Sequence, residues 1–335
     1  MDLINKISIH PDFYKTVDEL RDKNIFFGNH TSSTGSMFSE IYAGGYKLKR
    51  LEEIGFRNLN LSNGEELSKK VLLAGYDETI NKYRSLEGTS VLVVYVLTYL
   101  GGIDYYPTAL VTLNFYTSAK DIIKNSTTLR YAEKIESVIN KDIAENKTEF
   151  ICDTVQPFTV LLIDGPLIAG DYYTTMLDKI KTLHEQDILP VFIVKNSEST
   201  LVIDNIPGLR NKYNSDLHWA HRTLKPGQRS GLFLYSLEAG STRNKAFCYF
   251  KSYDETPIRI EFHGSTIEKY SSQIDPVLDI IHYQIQLHGS LSNPQPRIIA
   301  IAEKYAREIA AYINFNELTK FSYITPIFNQ IRFGS

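Results

Sequence analysis

The sequence predicts an α/β fold: a mixed sheet of three antiparallel strands and then a parallel β-α-β unit, with flanking helices and a β/α extension toward the C-terminus. Three observations carry this expectation. The apolar, β-branched runs Val71–Tyr76, Val91–Tyr99 and Ala109–Phe115 are separated only by turn-rich segments, the pattern of an antiparallel meander. From Thr127 the apolar positions Leu129, Ala132, Ile135, Ile139 and Ile143 recur at helical spacing. Phe158–Ile163 and Val191–Val194 are short apolar runs on either side of the helical stretch Tyr172–Gln186, marked by Met176, Ile180 and Leu183. Strand, helix and strand within about forty residues make a right-handed β-α-β unit with parallel strands.

The bulk numbers bound the rest. A chain of 335 residues forms one large domain or two smaller ones, and 43% hydrophobic residues suffice for a full core. A net charge of −3 supplies no global field for nucleic acid, so any such binding needs a local basic groove. Cys152 and Cys248 make no disulfide framework, and neither has the neighbours of a zinc site. The first residues lack a signal-peptide pattern, and the longest apolar stretch, Ser90–Leu100, falls short of the ~20 residues that cross a bilayer. A cytoplasmic protein without a membrane segment is expected.

In chain order, residues 1–69 read as an irregular or helical extension, with helices at Phe13–Asp22 and at Glu40–Phe56, the second interrupted by Gly44-Gly45, and a loop at Asn29–Ser36. The main body spans residues 70–314. After its meander and β-α-β unit, Leu201–Arg222 reads as a polar loop, and Leu224–Tyr235 passes from a Pro-Gly turn into a strand. Phe247–Lys251 and Ile258–Phe262 pair as strands, and Asp275–Leu287 and Pro296–Ile313 are amphipathic helices. Residues 315–335 carry Phe315, Phe321, Tyr323, Phe328 and Phe333, more aromatic surface than a solvated tail needs, and are expected to form an interface.

The candidate chemistry gathers at strand ends. Phe158–Ile163 stops abruptly at Asp164-Gly165-Pro166, which places a carboxylate at a strand tip, either to hold a metal ion or to start a turn. A meander followed by helix, strand, helix, strand is the order of the ribonuclease H-like fold, where the first strand lies beside the fourth. That order sets Asp77 close to Asp164, and two acids on neighbouring strands suit Mg²⁺ or Mn²⁺. Lys195 leaves the sheet at the same edge, where ligands of open α/β sheets bind. It reads as a contact to a phosphate or as a solvated strand end. On the Thr127–Ile143 helix, Glu136 lies near the apolar stripe and points toward the sheet. Arg222, Arg229 and Arg243 lie in or near turn-rich regions, as DNA-backbone contacts or as plain surface charge. Arg259 and Glu261 alternate with Ile258 and Ile260, so both face one side of a strand, which a cross-strand or same-face ion pair explains as well as function does. His218 and His221 have no acidic partner spaced for zinc, His282 and His288 are placed on the exposed side of a helix, and no Gly-rich phosphate loop is present.

Several stretches, in this order, resemble one family: Leu162–Leu167 (LIDGPL), Val191–Lys195 (VFIVK), Ser215–Phe233 (SDLHWAHRTLKPGQRSGLF), Phe247–Lys251, Ile258–Phe262 (IRIEF) and Pro296–Ala306 (PRIIAIAEKYA). Over Lys70–Ala306 the chain resembles the NurA nucleases, partners of the hexameric HerA translocase in DNA end processing. The resemblance implies a Mn²⁺- or Mg²⁺-dependent exo- or endodeoxyribonuclease. It would work in DNA repair as a homodimer around a DNA channel, with a HerA-like hexameric ATPase as partner. It also implies the site. Asp77 matches the family Asp after strand one, although Asp77-Glu78-Thr79 replaces the usual Asp-Gly-Ser. Arg130-Tyr131-Ala132-Glu133 nominates Glu133 beside the Glu136 of the helical wheel. Asp164 is the Asp of the Asp-Gly-Pro-Leu motif, and Ala302-Glu303 stands where the family has Ala-His or Ala-Asp. One or two ions held by Asp77 and Asp164, with Glu133 or Glu136 and Glu303 completing the shell, would support phosphodiester hydrolysis. Lys195 would add a charge at the scissile phosphate. The altered turn at Glu78 and the Glu at position 303 also admit a non-catalytic, dimeric DNA-guiding or adaptor subunit.

Overall fold

The computed structural model describes residues 41–43, 46–52, 55–101, 104–119, 129–168, 174–236 and 243–314. The expected elements at Phe13–Asp22, Asn29–Ser36 and residues 315–335 lie outside them.

The elements run β1 (Ile41–Ala43), β2 (Tyr46–Arg50), β3 (Phe56–Asn58), α1 (Leu61–Ser68), β4 (Leu72–Arg84), β5 (Thr89–Gly101), β6 (Asp104–Thr117) and β7 (Leu129–Tyr131). There follow α2 (Ile135–Thr154), β8 (Thr159–Asp164), α3 (Thr174–Glu185), β9 (Leu189–Val194), α4 (Leu201–Asn205), α5 (Asp216–Thr223), β10 (Gln228–Ser230) and β11 (Phe233–Ser236). Last come β12 (Asn244–Lys251), β13 (Ile258–His263), α6 (Gly264–Lys269), α7 (Ile274–His288) and α8 (Arg297–Ile313). Among the described residues one mixed sheet has the order β1-β2-β11-β12-β13-β9-β8-β4-β5-β6-β7, with β10 bridging β12 and β3.

The meander and the β-α-β unit are where the sequence puts them. β4, β5 and β6 are successively antiparallel, and β8 is parallel to both β4 and β9. The first strand of the meander therefore lies beside the first strand of the β-α-β unit. Strand alternation then sorts the core into two layers. Leu73, Val160, Leu162, Val191 and Ile193 meet Leu278, Ile281, Ile298 and Ile299 of α7 and α8. Tyr76, Leu161, Ile163 and Phe192 meet Ile139 and Ile151 of α2 and Ile180 and Leu183 of α3. Each fully buried aliphatic contributes roughly 1.5–3 kcal/mol. Helix α8 comes closest to the sheet because Ala302, Ala306 and Ala310 lie against Val94 and Val96. At Gly75 an added Cβ would stand 2.8 Å from the backbone of Ile298, so only glycine lets the start of α8 sit on β4.

Several expectations need correction. Glu40–Phe56 is not a helix: Ile41–Ala43 and Tyr46–Arg50 pair as a hairpin, and β2 continues onto β11. The alternation Tyr46-Lys47-Leu48-Lys49 is the strand signal, and Phe56–Asn58 adds a short strand that pairs with β10. Strand β4 does not stop at Tyr76 but runs on to Arg84, and the turn is Ser85–Gly88, where the Ser85 amide donates to the Gly88 carbonyl at 2.8 Å. The polar stretch beyond Asp77 looked like a turn because it has left β8 behind, pairs only with β5 and meets α2 through the ion pairs of Lys82 and Arg84 with Glu136 rather than through apolar side chains. The helix expected from Thr127 starts at Ile135, after the short strand β7. Leu201–Arg222 contains α4 and α5, the second capped by the Ser215 hydroxyl, which accepts from the His218 amide. His282 is buried, 5% exposed, with Nδ1 3.2 Å from the Ser252 hydroxyl.

Candidate active site

The cleft is built by register. Tyr76 of β4 pairs with Ile163 of β8, so Asp77 and Asp164 come next, side by side, and Asp164 in turn pairs with Ile193 of β9. By alternation Asp77 continues the Leu73–Gly75 row, Asp164 the Val160–Leu162 row and Lys195 the Val191–Ile193 row. All three rows face α7 and α8. Gly165, at φ 99°, turns the chain immediately after Asp164, in backbone that a side chain would strain. The resulting cleft, about 380 Å³ and open to solvent, is lined by Asp77, Glu78, Asp164, Gly165, Lys195 and Asn196, among others.

Polar contacts run across it in series. Lys195 Nζ lies 2.8 Å from Asp164 Oδ2. It also donates to Gln295 Oε1 at 2.7 Å. Gln295 Nε2 donates to Glu303 Oε2 at 2.9 Å, and Glu303 is paired with Arg307 one turn along α8. Lysine can only donate and carboxylate can only accept, so the Gln295 amide is fixed in one orientation. Asp77 is only 8% exposed, and its Oδ1 accepts the Glu78 amide at 2.8 Å. Burial pushes its pKa up from 3.8 to about 7, and the charge of Asp164 adds to the rise; the Glu78 amide and Lys195 oppose it. The neighbouring Glu78 points to the opposite face, where Lys147 of α2 stands 3.1 Å from Oε2 and 4.9 Å from the Tyr76 ring centroid.

Asp77, Asp164 and Lys195 thus share one cleft, and Glu303 connects to it through Gln295. Glu133 and Glu136 do not reach it. Glu133 is exposed and accepts from the Tyr131 hydroxyl at 3.3 Å. Glu136 sits in the first turn of α2, paired with Lys82 at 2.7 Å and Arg84 at 3.0 Å. Those partners are five and seven residues beyond Asp77 on β4, roughly 16–23 Å at strand rise. The wheel that aimed Glu136 at the site assumed a helix beginning a full eight residues too early. Gln295 was missed: a neutral amide between Pro294 and Pro296 gives no sequence signal of its role.

Of the three arginines nominated for DNA, Arg222 and Arg243 are exposed. Arg229 is not: it is 1% exposed, with both terminal nitrogens on Glu52 at 2.8 and 2.9 Å and Nη2 2.6 Å from Asp275. It ties β10 to α7 and to the segment after β2, and no phosphate reaches it. Arg229→Met is expected to lower stability by about 1–3 kcal/mol, because Glu52 loses a two-point partner while Arg57 still faces both carboxylates. DNA affinity of the folded protein should stay at the wild-type value. Thermal melting and fluorescence anisotropy with a labelled duplex check both; lost affinity at unchanged stability would return Arg229 to the surface role.

Among the described residues no group of three or more His, Cys, Asp or Glu side chains is placed to hold a metal. Asp77 and Asp164 nevertheless fit a single hard cation, which takes one or two carboxylates and completes its shell with water or phosphate oxygens. Asp77, pushed up first by its burial and then by the charge of Asp164, is a carboxyl whose ionised form a cation would favour. A second ion finds no further free carboxylate among the described residues on this face, since Glu303 is engaged by Gln295 and Arg307.

Fold and cleft define an α/β protein with a paired-carboxylate site at the carboxyl edge of a mixed sheet. The chain belongs to the NurA family: the family model, described as the NurA domain, matches residues 89–308. The crystal structure of the NurA nuclease from Sulfolobus solfataricus is similar over 93% of this chain and 98% of that one, with 11% identity and a TM-score of 0.54. Slighter likenesses connect it to a NurA crystallised with manganese (8% identity, 72% and 87% covered, TM-score 0.37). They also connect it to Ciona intestinalis endonuclease V bound to inosine-containing DNA (13%, 76% and 97%, TM-score 0.34). These last two scores are too low to bear on the fold. No curated protein matches the sequence. Among the described residues no helix is long and apolar enough to cross a membrane.

Proposed function

We propose that the chain is a Mn²⁺- or Mg²⁺-dependent deoxyribonuclease with a ribonuclease H-like core. It would act in DNA end processing as a homodimer, with a HerA-like hexameric ATPase as partner, in the cytoplasm. Residues 70–314 would form the nuclease domain and residues 315–335 an interface. The observation that carries the reading is the pair Asp77 and Asp164 on neighbouring parallel strands, with one carboxyl pushed up to about 7 beside a lysine. Asp77 and Asp164 would hold the ion, Asp77 giving up its proton as it does so. Lys195 would meet a non-bridging phosphate oxygen as a point charge, kept in place by Gln295 Oε1 at 2.7 Å. Asp77, largely buried, would limit water around the reacting phosphate. When bound, the ion supplies Lewis acidity and an activated water. Exposed basic groups such as Arg222 and Arg243 would hold the DNA backbone without sequence preference.

One observation favours a second reading. Lys195 already neutralises Asp164 at 2.8 Å, as it would in a DNA-guiding subunit that has no use for an ion. Calorimetry with Mn²⁺ and degradation of end-labelled linear DNA, each with and without the hexameric motor, separate the two. One ion per chain and metal-dependent cleavage are expected. No binding and no cleavage, even with the motor, would leave the guiding role.

A further inference from the structure

Strand β13 carries a buried ionic cluster that the cleft does not use directly. Glu261 is 0% exposed and Arg259 and Lys245 are each 6% exposed. Lys245 Nζ stands 2.7 Å and Arg259 Nε 2.8 Å from Glu261 Oε1. Three charges taken out of water add little net stability, since desolvation offsets their attraction. Their outward contacts are more informative. Glu261 Oε2 accepts the Leu167 amide at 2.9 Å, and Leu167 lies in the turn three residues after Asp164. Arg259 Nη1 donates to the hydroxyl of Ser197, two residues after Lys195. Strand β13 pairs with β9, Arg259 opposite Val194 and Glu261 opposite Phe192, so the pair lies immediately beside both loops.

We propose that Arg259 and Glu261 are positioning residues that clamp the Asp164 loop and the Lys195 loop to one rigid strand, fixing how the cleft's carboxylate and lysine stand to each other. The pair acts from the opposite face of the sheet. Ile258, Ile260 and Phe262 belong to the α7 and α8 layer, so by alternation Arg259 and Glu261 project the other way, and their effect passes through the backbone of Leu167 and the side chain of Ser197. This inference rests on the reading of the cleft as the working site, but its first test does not depend on metal.

The test is hydrogen exchange at the Leu167 amide, with Mn²⁺ calorimetry and steady-state DNA cleavage beside it. In Lys245→Met/Glu261→Leu the net charge of the cluster is unchanged, although Arg259 loses its carboxylate, and the Leu167 acceptor is gone. Exchange at Leu167 is expected to rise about tenfold or more while the central strands stay protected. Mn²⁺ affinity should fall about tenfold, and kcat about tenfold or more at nearly constant KM for DNA. Glu261→Gln keeps an acceptor for Leu167 and should recover most of the protection. Ser197→Ala, which leaves the ionic cluster intact, serves if the double variant fails to fold. It should speed exchange across residues 195–198 and lower kcat about threefold without changing the melting temperature. Wild-type exchange at the altered loop in a folded variant overturns the clamp. If wild type neither binds Mn²⁺ nor cleaves, the nuclease reading fails while exchange still decides the clamp.

Discussion

Asp164→Asn is expected to lower Mn²⁺-dependent DNA cleavage about a thousandfold or more while leaving the protein folded and able to bind DNA. The substitution keeps the shape of the side chain and removes the charge that a cation needs. It does not strand a buried ion. The side chain of Lys195 is 24% exposed and keeps its bond to Gln295 at 2.7 Å when Asp164 no longer pairs with it. The strand beneath, Thr159–Ile163, is untouched. End-labelled linear DNA with and without the motor reads the activity, and anisotropy with a labelled duplex in EDTA reads binding. Cleavage at the wild-type rate would place the chemistry outside this cleft.

Asp77→Asn should melt higher than wild type at pH 8, by a margin that shrinks steadily toward pH 4, without metal. Asp77 is the unusual case of an acid whose folded pKa, about 7, lies above its ordinary 3.8. The folded state holds the proton more tightly than the unfolded chain, so the stability tied to it is complete below about pH 4 and is lost as pH rises through 7. Each unit is worth about 1.4 kcal/mol, which makes the cost of ionisation on the order of 4 kcal/mol at most. For a chain of this size that is an expected difference of several degrees at pH 8. Mn²⁺ should raise the wild-type melting temperature at pH 8 and leave the Asn variant nearly unmoved. Identical melting of the two proteins across pH 5–8 would mean that Asp77 carries no such strain.

The parts of the site that the sequence made legible are those where composition changes abruptly. Asp164 and Lys195 each end a run of purely apolar strand residues, and buried parallel strands read clearly because both faces are covered. Asp77 was found although its strand was cut short. Beyond Asp77, β4 no longer pairs with β8 and takes polar residues, which imitate a turn. Glu136 was misassigned because a helical wheel is only as good as its starting residue, and the short strand β7 had been absorbed into the helix. Arg229 looked like surface because its acidic partners, Glu52 and Asp275, are far away in the chain and meet it only in the folded sheet. The Arg259–Glu261 pair was legible as a pair, but not the loops to which it is bonded.

The parallel pairing of Leu72 with Thr159 has a consequence for how the site comes into being. The meander from β4 to β6 closes through local turns, which form early because little chain entropy is lost in closing them. Docking of β8 against β4 must wait until a long intervening stretch, including α2, has been gathered in. During that interval Asp77 lies on the outer edge of a finished hairpin, hydrated and ionised, with no second carboxylate beside it. The electrostatic conflict that marks the mature cleft is therefore created in the last docking step. On the reading of the cleft as a metal site, the ion would meet a completed fold and play no part in templating it.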